Sequence, residues 1–366
     1  MSTTELLNID QNLKNIVSKQ QLDKIKAIPL IETLKLQKID DDEYFSEKYN
    51  GYISNSRLNL LNPNQGGSPE QFFEGFAKHA IYSDSLNIGS AVHELVLQSD
   101  TFKLAPMLYR PTAKLGFVCD ELYKVYIAND TVITDEDIIK ASDKIDYYKD
   151  KLNDDRIKAI RNAGKIYWKK RSEYEMRQRI CSDNVTSIIL DEKSREKVVN
   201  SVKALNDNAK IQELLHPVGL INDPISENEQ AILLDVKIEI QGKEPFILKL
   251  KAKLDNYTID TETDTLVIND VKTIGKSVYE FEDNVRKFRY MREMAIYSWL
   301  LSLAAKKYYN MPTHKIRSNF LVVSTNSSYY TKIVPMTLDW YREGWNEFRW
   351  LLRLAAYWYD KGYKFE

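Results

Sequence analysis

The stretch TLVINDVKTIG, residues 265–275, opens as an apolar strand and then sets Asp270 and Lys272 two positions apart. Side chains alternate across a strand with period two, so the acid and the base share one face. An acid and a base at the end of an apolar strand are either a local ion pair or part of an active site. Their place at a strand end predicts that both are exposed.

The flanking residues place this strand third in a series. EQAILLDVKIEI (229–240), the turn QGK, PFILKLKAKLDNYTI (245–259) and the turn DTETD lead into it. Then come the amphipathic helix FEDNVRKFRYMREMAIYSWLLSLAAKKYY (281–309) and two more strands, SNFLVVST (318–325) and YYTKIVPM (329–336). An aromatic-rich helix, TLDWYREGWNEFRWLLRLAAYWYDKGY (337–363), closes the chain. Three strands, helix, two strands, helix is an α/β pattern. Trp340, Trp345, Trp350 and Trp358 recur at helical intervals and are expected in the core.

The preceding residues read as helical. Residues 1–45 form an expected N-terminal helical arm, polar and rich in Lys, Gln and Asp. In YISNSRLNLLNPNQGG (52–67), Ser54 or Ser56 can cap a short helix, which Pro63, Gly66 and Gly67 end. SLNIGSAVHELVLQSDTF (85–102) places Ile88, Val92 and Leu95 at core spacing. Residues 103–220 are charged and amphipathic and are expected to be an inserted helical layer within a domain of residues 46–366.

The middle strand has two faces. Phe246, Leu248, Leu250, Ala252 and Leu254 make one; Lys249, Lys251, Lys253 and Asp255 make the other. If this strand pairs with the next, Asp255 and Asp270 converge. Two close carboxylates repel unless a cation neutralises them, and hard oxygen ligands suit Mg2+ or Mn2+. Lys272 could orient a water or stabilise charge, and the lysine row could hold backbone phosphates. These are the parts needed to hydrolyse a phosphodiester. The Asp-x-Lys pattern recurs at 191–193, at a helix start, where capping explains it. It recurs again at 235–237, on a strand with no acid-bearing strand before it.

Composition narrows the classes. The 366 residues carry 52 Lys plus Arg and 53 Asp plus Glu, so any contact with nucleic acid needs a local basic surface. Two distant cysteines, Cys119 and Cys181, exclude a disulfide framework and an iron–sulfur cluster, and fit a reducing cytoplasmic setting. No phosphate-cradling glycine loop appears, so no bound nucleotide is expected. The N-terminus MSTTELLNIDQNLKN lacks signal-peptide character, and AIYSWLLSLAA is too short to span a membrane.

These pieces resemble the PD-(D/E)XK nuclease superfamily, whose core is restriction-endonuclease-like, a mixed sheet flanked by helices. The chain most resembles the RecE-type exodeoxyribonuclease VIII group of phage and prophage exonucleases, from about residue 50 to the C-terminus. YISNSRL is similar to that group's Ser-x-Ser-x-x-Leu opening, and IGSAVHELVLQSDTF to its Gly-x-x-x-His helix. KAKLD and NDVKT are similar to its two metal-site strands, and YMREMAIY to its Tyr-x-x-Gln-x-x-x-Tyr helix, with Glu293 where glutamine is usual.

The resemblance implies that Asp255 and Asp270 bind metal, with the Val271 carbonyl as a further ligand and Lys272 as the catalytic lysine. It implies a metal-proximal role for His93, and Glu229 is the match for an additional acid. Gly89, one turn before His93, leaves room for close approach. Tyr290, Glu293 and Tyr297 share one helix face, with Arg286 beside them, and are expected to look onto the metal site or DNA. Duplex DNA ends, a single-strand annealing partner, a homo-oligomer and a bacterial host cytoplasm are likewise implied. Two other readings compete: a non-catalytic member of the same fold that binds DNA or a phage partner, and an interaction protein built on its helices.

Overall fold

The computed structural model describes residues 17–75, 83–129, 131–148, 151–181, 186–219 and 224–365. Its centre is an open mixed sheet in the order β1–β6–β7–β8–β9–β10. These are β1 (Ile25–Pro29), β6 (Ile225–Ile240), β7 (Phe246–Asp260), β8 (Thr265–Ile274), β9 (Lys315–Ser324) and β10 (Thr331–Pro335). β2 (Lys35–Lys38) also pairs with β6, and β3 (Tyr52–Ile53) with β7. β6, β7 and β8 form an antiparallel meander, as the two turns predict; β8 and β9 are parallel, joined through helices.

Those helices are Phe281–Lys287 and Tyr290–Tyr309, where one continuous helix was expected. Arg289 separates them with φ +60°, a left-handed conformation that no α-helix contains. The helix Leu338–Asp360 packs against Tyr290–Tyr309, and most of the sheet's buried Leu, Ile and Val side chains share one core with this pair. Gly344 makes the close packing possible, because a Cβ there would lie 2.2 Å from the Met291 carbonyl oxygen.

Short helices occur in the N-terminal region, at Lys19–Asp23 and Asp41–Tyr44, but β1 and β2 also lie there and extend the sheet. The expectation for residues 1–16 falls outside the described residues. Ser54 caps Asn55–Leu61 by accepting from the Arg57 amide. Between Asp84–Leu97 and β6, the described residues are mostly helical, as expected. Ala113–Ala128, Asp135–Lys144 and Asp154–Cys181 surround a core of their own that includes Phe117, Leu122 and Trp168. β4 (Phe102–Leu104) and β5 (Thr186–Ile188) form a separate parallel pair. Asp191 caps Glu192–Asn206, confirming the capping role of that Asp-x-Lys copy.

Candidate metal centre

The site begins with strand register. Asn228 pairs with Asn256 and Gln230 with Leu254, so Glu229 stands opposite Asp255. Asn256 pairs with Asn269, and the same register continued by one residue sets Asp255 opposite Asp270. Three acids thus form a row across β6, β7 and β8. Glu229 has φ +58°, a strained conformation for a non-glycine residue that only well-determined surroundings sustain.

His93, on Asp84–Leu97, closes the cluster. Its Nε2 lies 2.8 Å from Asp255 Oδ2 and its Nδ1 lies 3.1 Å from Glu229 Oε1. Gly89 gives the expected close approach: a Cβ there would lie 3.3 Å from Thr273 Oγ1 on β8. One ligand atom each from His93, Glu229 and Asp255 falls within 4.8 Å of the other two. Two ligands each ~2.1 Å from one ion can be at most ~4.2 Å apart, so a closure of a few tenths of an ångström would let the three share a cation.

Neighbouring cations neutralise these acids. Burial pulls the His93 pKa down, but Asp255 and Glu229 outweigh it and raise it to about 10. The imidazolium and the Lys253 ammonium, 2.7 Å from Glu229 Oε2, stand beside these acids as positive charge. Burial raises the Asp255 pKa, yet His93 and Lys272 hold it below the usual carboxylate value. Glu229 Oε1 and Asp270 Oδ2 are buried, and each faces a cationic side chain, His93 Nδ1 at 3.1 Å and Lys272 Nζ at 2.8 Å. A divalent ion bound among these carboxylates would take over that neutralisation and displace the His93 proton. The donor set therefore fits a divalent cation.

Asp270 and Lys272 adjoin this triad. The Lys272 ammonium donates to Asp270 Oδ1 at 2.9 Å, lies 3.4 Å from Glu293 Oε2 and sits 4.9 Å from the Tyr290 ring centre. Burial would discharge this lysine, but Asp270, Glu293 and Asp255 raise its pKa well above the ordinary value. Burial likewise pushes the Asp270 carboxyl well above its usual range, with Lys272 opposing. Tyr297 donates to Glu293 Oε1 at 3.2 Å. The face carrying Tyr290, Glu293 and Tyr297 does look onto the acids, as expected. Exposure differs from expectation: Asp270 is 1 % exposed, because the Tyr290–Tyr309 helix covers the strand end.

Other expected residues are placed differently. The Val271 amide donates to Asp255 Oδ2 at 2.8 Å and so orients that carboxylate, a contact not expected from the sequence. Arg286 pairs with Glu343 at 3.0 Å and is absent from the cavity wall, which Asn284, Lys287 and Phe288 line instead. The lysine row is not an open floor. Lys251 is buried and donates to the Tyr44 carbonyl at 2.7 Å; Lys253 bridges Glu229 and Asp41; Lys249 lies 5.4 Å from the Tyr52 ring centre. The N-terminal segment lies across the row because its carbonyl, carboxylate and aromatic faces satisfy three ammonium groups. Asp235 and Lys237 lie away from the cluster, and Lys237 pairs with Glu239 at 2.8 Å.

Glu229, Asp255 and Lys272 line one cavity of about 1570 Å³, which Lys193, Lys197, Lys276 and Lys287 also line, with Asp270 buried behind it. Beside the acid row runs a feature the sequence reading missed. Asn228, Asn256, Asn269 and Asn319 stand in register on β6 to β9. Asn319 donates to Asn269 at 3.0 Å, Asn269 to Asn256 at 2.8 Å and Asn256 to Asn228 at 2.8 Å. Asn228 also donates to the Leu97 carbonyl at the end of the His93 helix, and Asn269 to the Leu214 carbonyl. A signal was present in the sequence: each acid of the row has an asparagine beside it, at Asn228–Glu229, Asp255–Asn256 and Asn269–Asp270.

No family model and no curated protein matches this chain. Among solved structures, one from Eubacterium rectale described as a "Putative exonuclease" is similar at 10% sequence identity and a TM-score of 0.42, over 87% of each chain. Among the described residues, no helix is long and apolar enough to cross a membrane.

Proposed function

We propose that this protein is a metal-dependent nuclease of the PD-(D/E)XK type that hydrolyses phosphodiester bonds in DNA, acting as a RecE-like exonuclease on duplex ends. The observation that carries this reading is the convergence of His93, Glu229 and Asp255 beside the Asp270–Lys272 pair in one large cavity. His93, Glu229 and Asp255 would hold Mg2+ or Mn2+, and the family resemblance adds Asp270 and the Val271 carbonyl as further ligands. Such an ion, when bound, supplies Lewis acidity toward a phosphoryl oxygen and a more acidic water.

The chain's own groups do the rest. Asp270 and Glu293 keep Lys272 protonated, so its ammonium can donate to a water or to a phosphate oxygen as negative charge builds there. Tyr297 fixes the Glu293 carboxylate, and Tyr290 places its ring against the ammonium. Lys193, Lys197, Lys276 and Lys287 give the cavity wall the local positive charge that a chain of net charge −1 otherwise lacks. Water adds at phosphorus, one P–O bond breaks, and the leaving oxygen takes a proton. By the same resemblance, the setting is phage DNA recombination in a bacterial cytoplasm, with a single-strand annealing partner and a homo-oligomeric assembly.

The test is incubation of purified protein with linear and covalently closed circular duplex DNA, with Mg2+ or with chelator. Loss of the linear form alone, and only with metal, is expected. Rapid nicking of circles would make it an endonuclease, and inertness toward both with Mg2+ and Mn2+ would overturn the reading.

A further inference from the structure

The lip of the cavity carries a group that neither the metal chemistry nor the lysine row uses. Phe288 lies between Phe281–Lys287 and Tyr290–Tyr309, is 45 % exposed and lines the cavity. Single exposed aromatics are common, and Phe45 on the same wall is more exposed, so what sets Phe288 apart is its neighbours rather than its exposure.

Its neighbours show what kind of partner fits. The Phe288 ring centre is 5.7 Å from that of Tyr290, at 36°, and Tyr290 lies 4.9 Å from the Lys272 ammonium. An aromatic step therefore runs from solvent to the lysine of the site. On the outer side, the exposed Lys287 ammonium lies 5.2 Å from the Phe288 ring centre. A flat apolar face with a cation beside it matches one nucleotide, with the base on the ring and the phosphate at the ammonium.

We infer that Phe288 and Lys287 form a stacking subsite for an unpaired base next to the phosphate that Lys272 contacts. This rests on the nucleic-acid reading of the cavity and adds to it the form of the substrate. The nucleotide entering the site is held unpaired from its partner strand, and its base is gripped without regard to identity, because every base has a π-face.

The test is a binding cycle between ring and base. Fluorescently labelled single-stranded oligodeoxynucleotides, intact or with one abasic nucleotide at successive positions, are titrated with wild-type protein and with Phe288→Ala, Phe288→Leu and Phe288→Trp, with Ca2+ replacing Mg2+. Phe288→Ala should weaken binding of the intact strand on the order of 10-fold. It should leave unchanged the binding of the strand abasic at one particular position. Phe288→Trp should retain affinity and Phe288→Leu should not. If Phe288→Ala weakens intact and all abasic strands equally, or weakens none, the subsite is overturned while the cavity reading stands. If wild-type protein binds a linear duplex but none of these strands, the subsite is overturned; if it binds neither, the cavity reading itself fails. Thermal unfolding of each variant checks that the exposed substitution leaves the fold unchanged.

Discussion

His93 Nε2 lies 2.8 Å from Asp255 Oδ2, which also accepts the Val271 amide at 2.8 Å. A residue from a helix and a backbone group from β8 thus fix one carboxylate oxygen on β7 from two directions. The Val271 amide is an outer contact of the kind that orients a metal ligand and sets its basicity, and His93 shares the cluster with that ligand.

Mn2+ or Mg2+ should therefore raise the thermal midpoint of the wild-type protein, with no substrate present. Binding to the folded state alone stabilises by RT ln(1 + [L]/Kd), about 2.7 kcal/mol at a hundredfold excess over Kd. His93→Ala and Asp255→Asn should each abolish most of that rise. Differential scanning fluorimetry across a metal titration reads this directly. An unchanged metal response in Asp255→Asn would remove the triad from consideration.

Asp270 is buried and Lys272 half-buried against it, so the loss of this pair should be felt in the fold as well as in activity. Lys272→Met leaves two acids, Asp270 and Glu293, without their cation. Removing one partner of a buried pair costs about 3–5 kcal/mol. The double variant Asp270→Asn, Lys272→Met should recover a large part of that loss while remaining inactive. Urea unfolding of the four proteins gives the coupling energy. A near-zero value would show that the two side chains do not interact as their 2.9 Å contact implies.

The strand–helix order, the Asp255 and Asp270 strands and the Tyr290–Glu293–Tyr297 face were legible because each follows from period-two or helical spacing. The lysine row was legible as a polar face but not as an occupied one. What covers Lys251 and Lys253 comes from residues 41–44, more than 200 positions away in sequence. Arg286 was misplaced because its direction depends on the break at Arg289, which has no glycine or proline to mark it. β1 and β2 escaped notice because they are short, without clear alternation, and gain their pairing only from β6.

Lys251 makes a prediction about pH. Burial lowers its pKa to about 8, from an ordinary value of 10.5. Between those two values the unfolded chain binds the proton and the folded one does not. This group therefore destabilises fully below about pH 8, and stability rises as pH moves from 8 toward 10.5. Relative to wild type, Lys251→Met should lose ground over that window, by on the order of 1–3 kcal/mol. Paired urea titrations at pH 7.5 and 10 test the sign. A difference that does not change between them would mean that the ammonium is not desolvated.

The same burial bears on salt dependence. Lys193 and Lys197 line the cavity, whereas Lys251 is engaged by Tyr44. Each phosphate contact to duplex DNA adds roughly 0.9 to the log-affinity against log-salt slope. Lys193→Gln and Lys197→Gln should each flatten the slope by about that amount, and Lys251→Gln should leave it unchanged. The opposite ordering would place the backbone over β7 and require the N-terminal segment to move aside.

The asparagine ladder should set the precision of the acid row. Asn256 and Asn269 are fully buried, and each both donates and accepts along the ladder. Asn269→Leu would leave the Asn319 amide without its acceptor, the Asn256 oxygen without its donor and the Leu214 carbonyl unbonded. An orphaned buried polar group costs about 1–3 kcal/mol, so single substitutions here should destabilise strongly. Asn256→Leu combined with Asn269→Leu should cost less than the sum of the two, because the bond they share is lost only once. The ladder sits one residue from Glu229, Asp255 and Asp270, so a mild change such as Asn319→Ala, at its outer end, should also weaken metal binding. Calorimetric titration of Mn2+ into Asn319→Ala, at a temperature where it stays folded, should show a lower affinity than wild type. Unchanged affinity with lowered stability would confine the ladder to holding the sheet together.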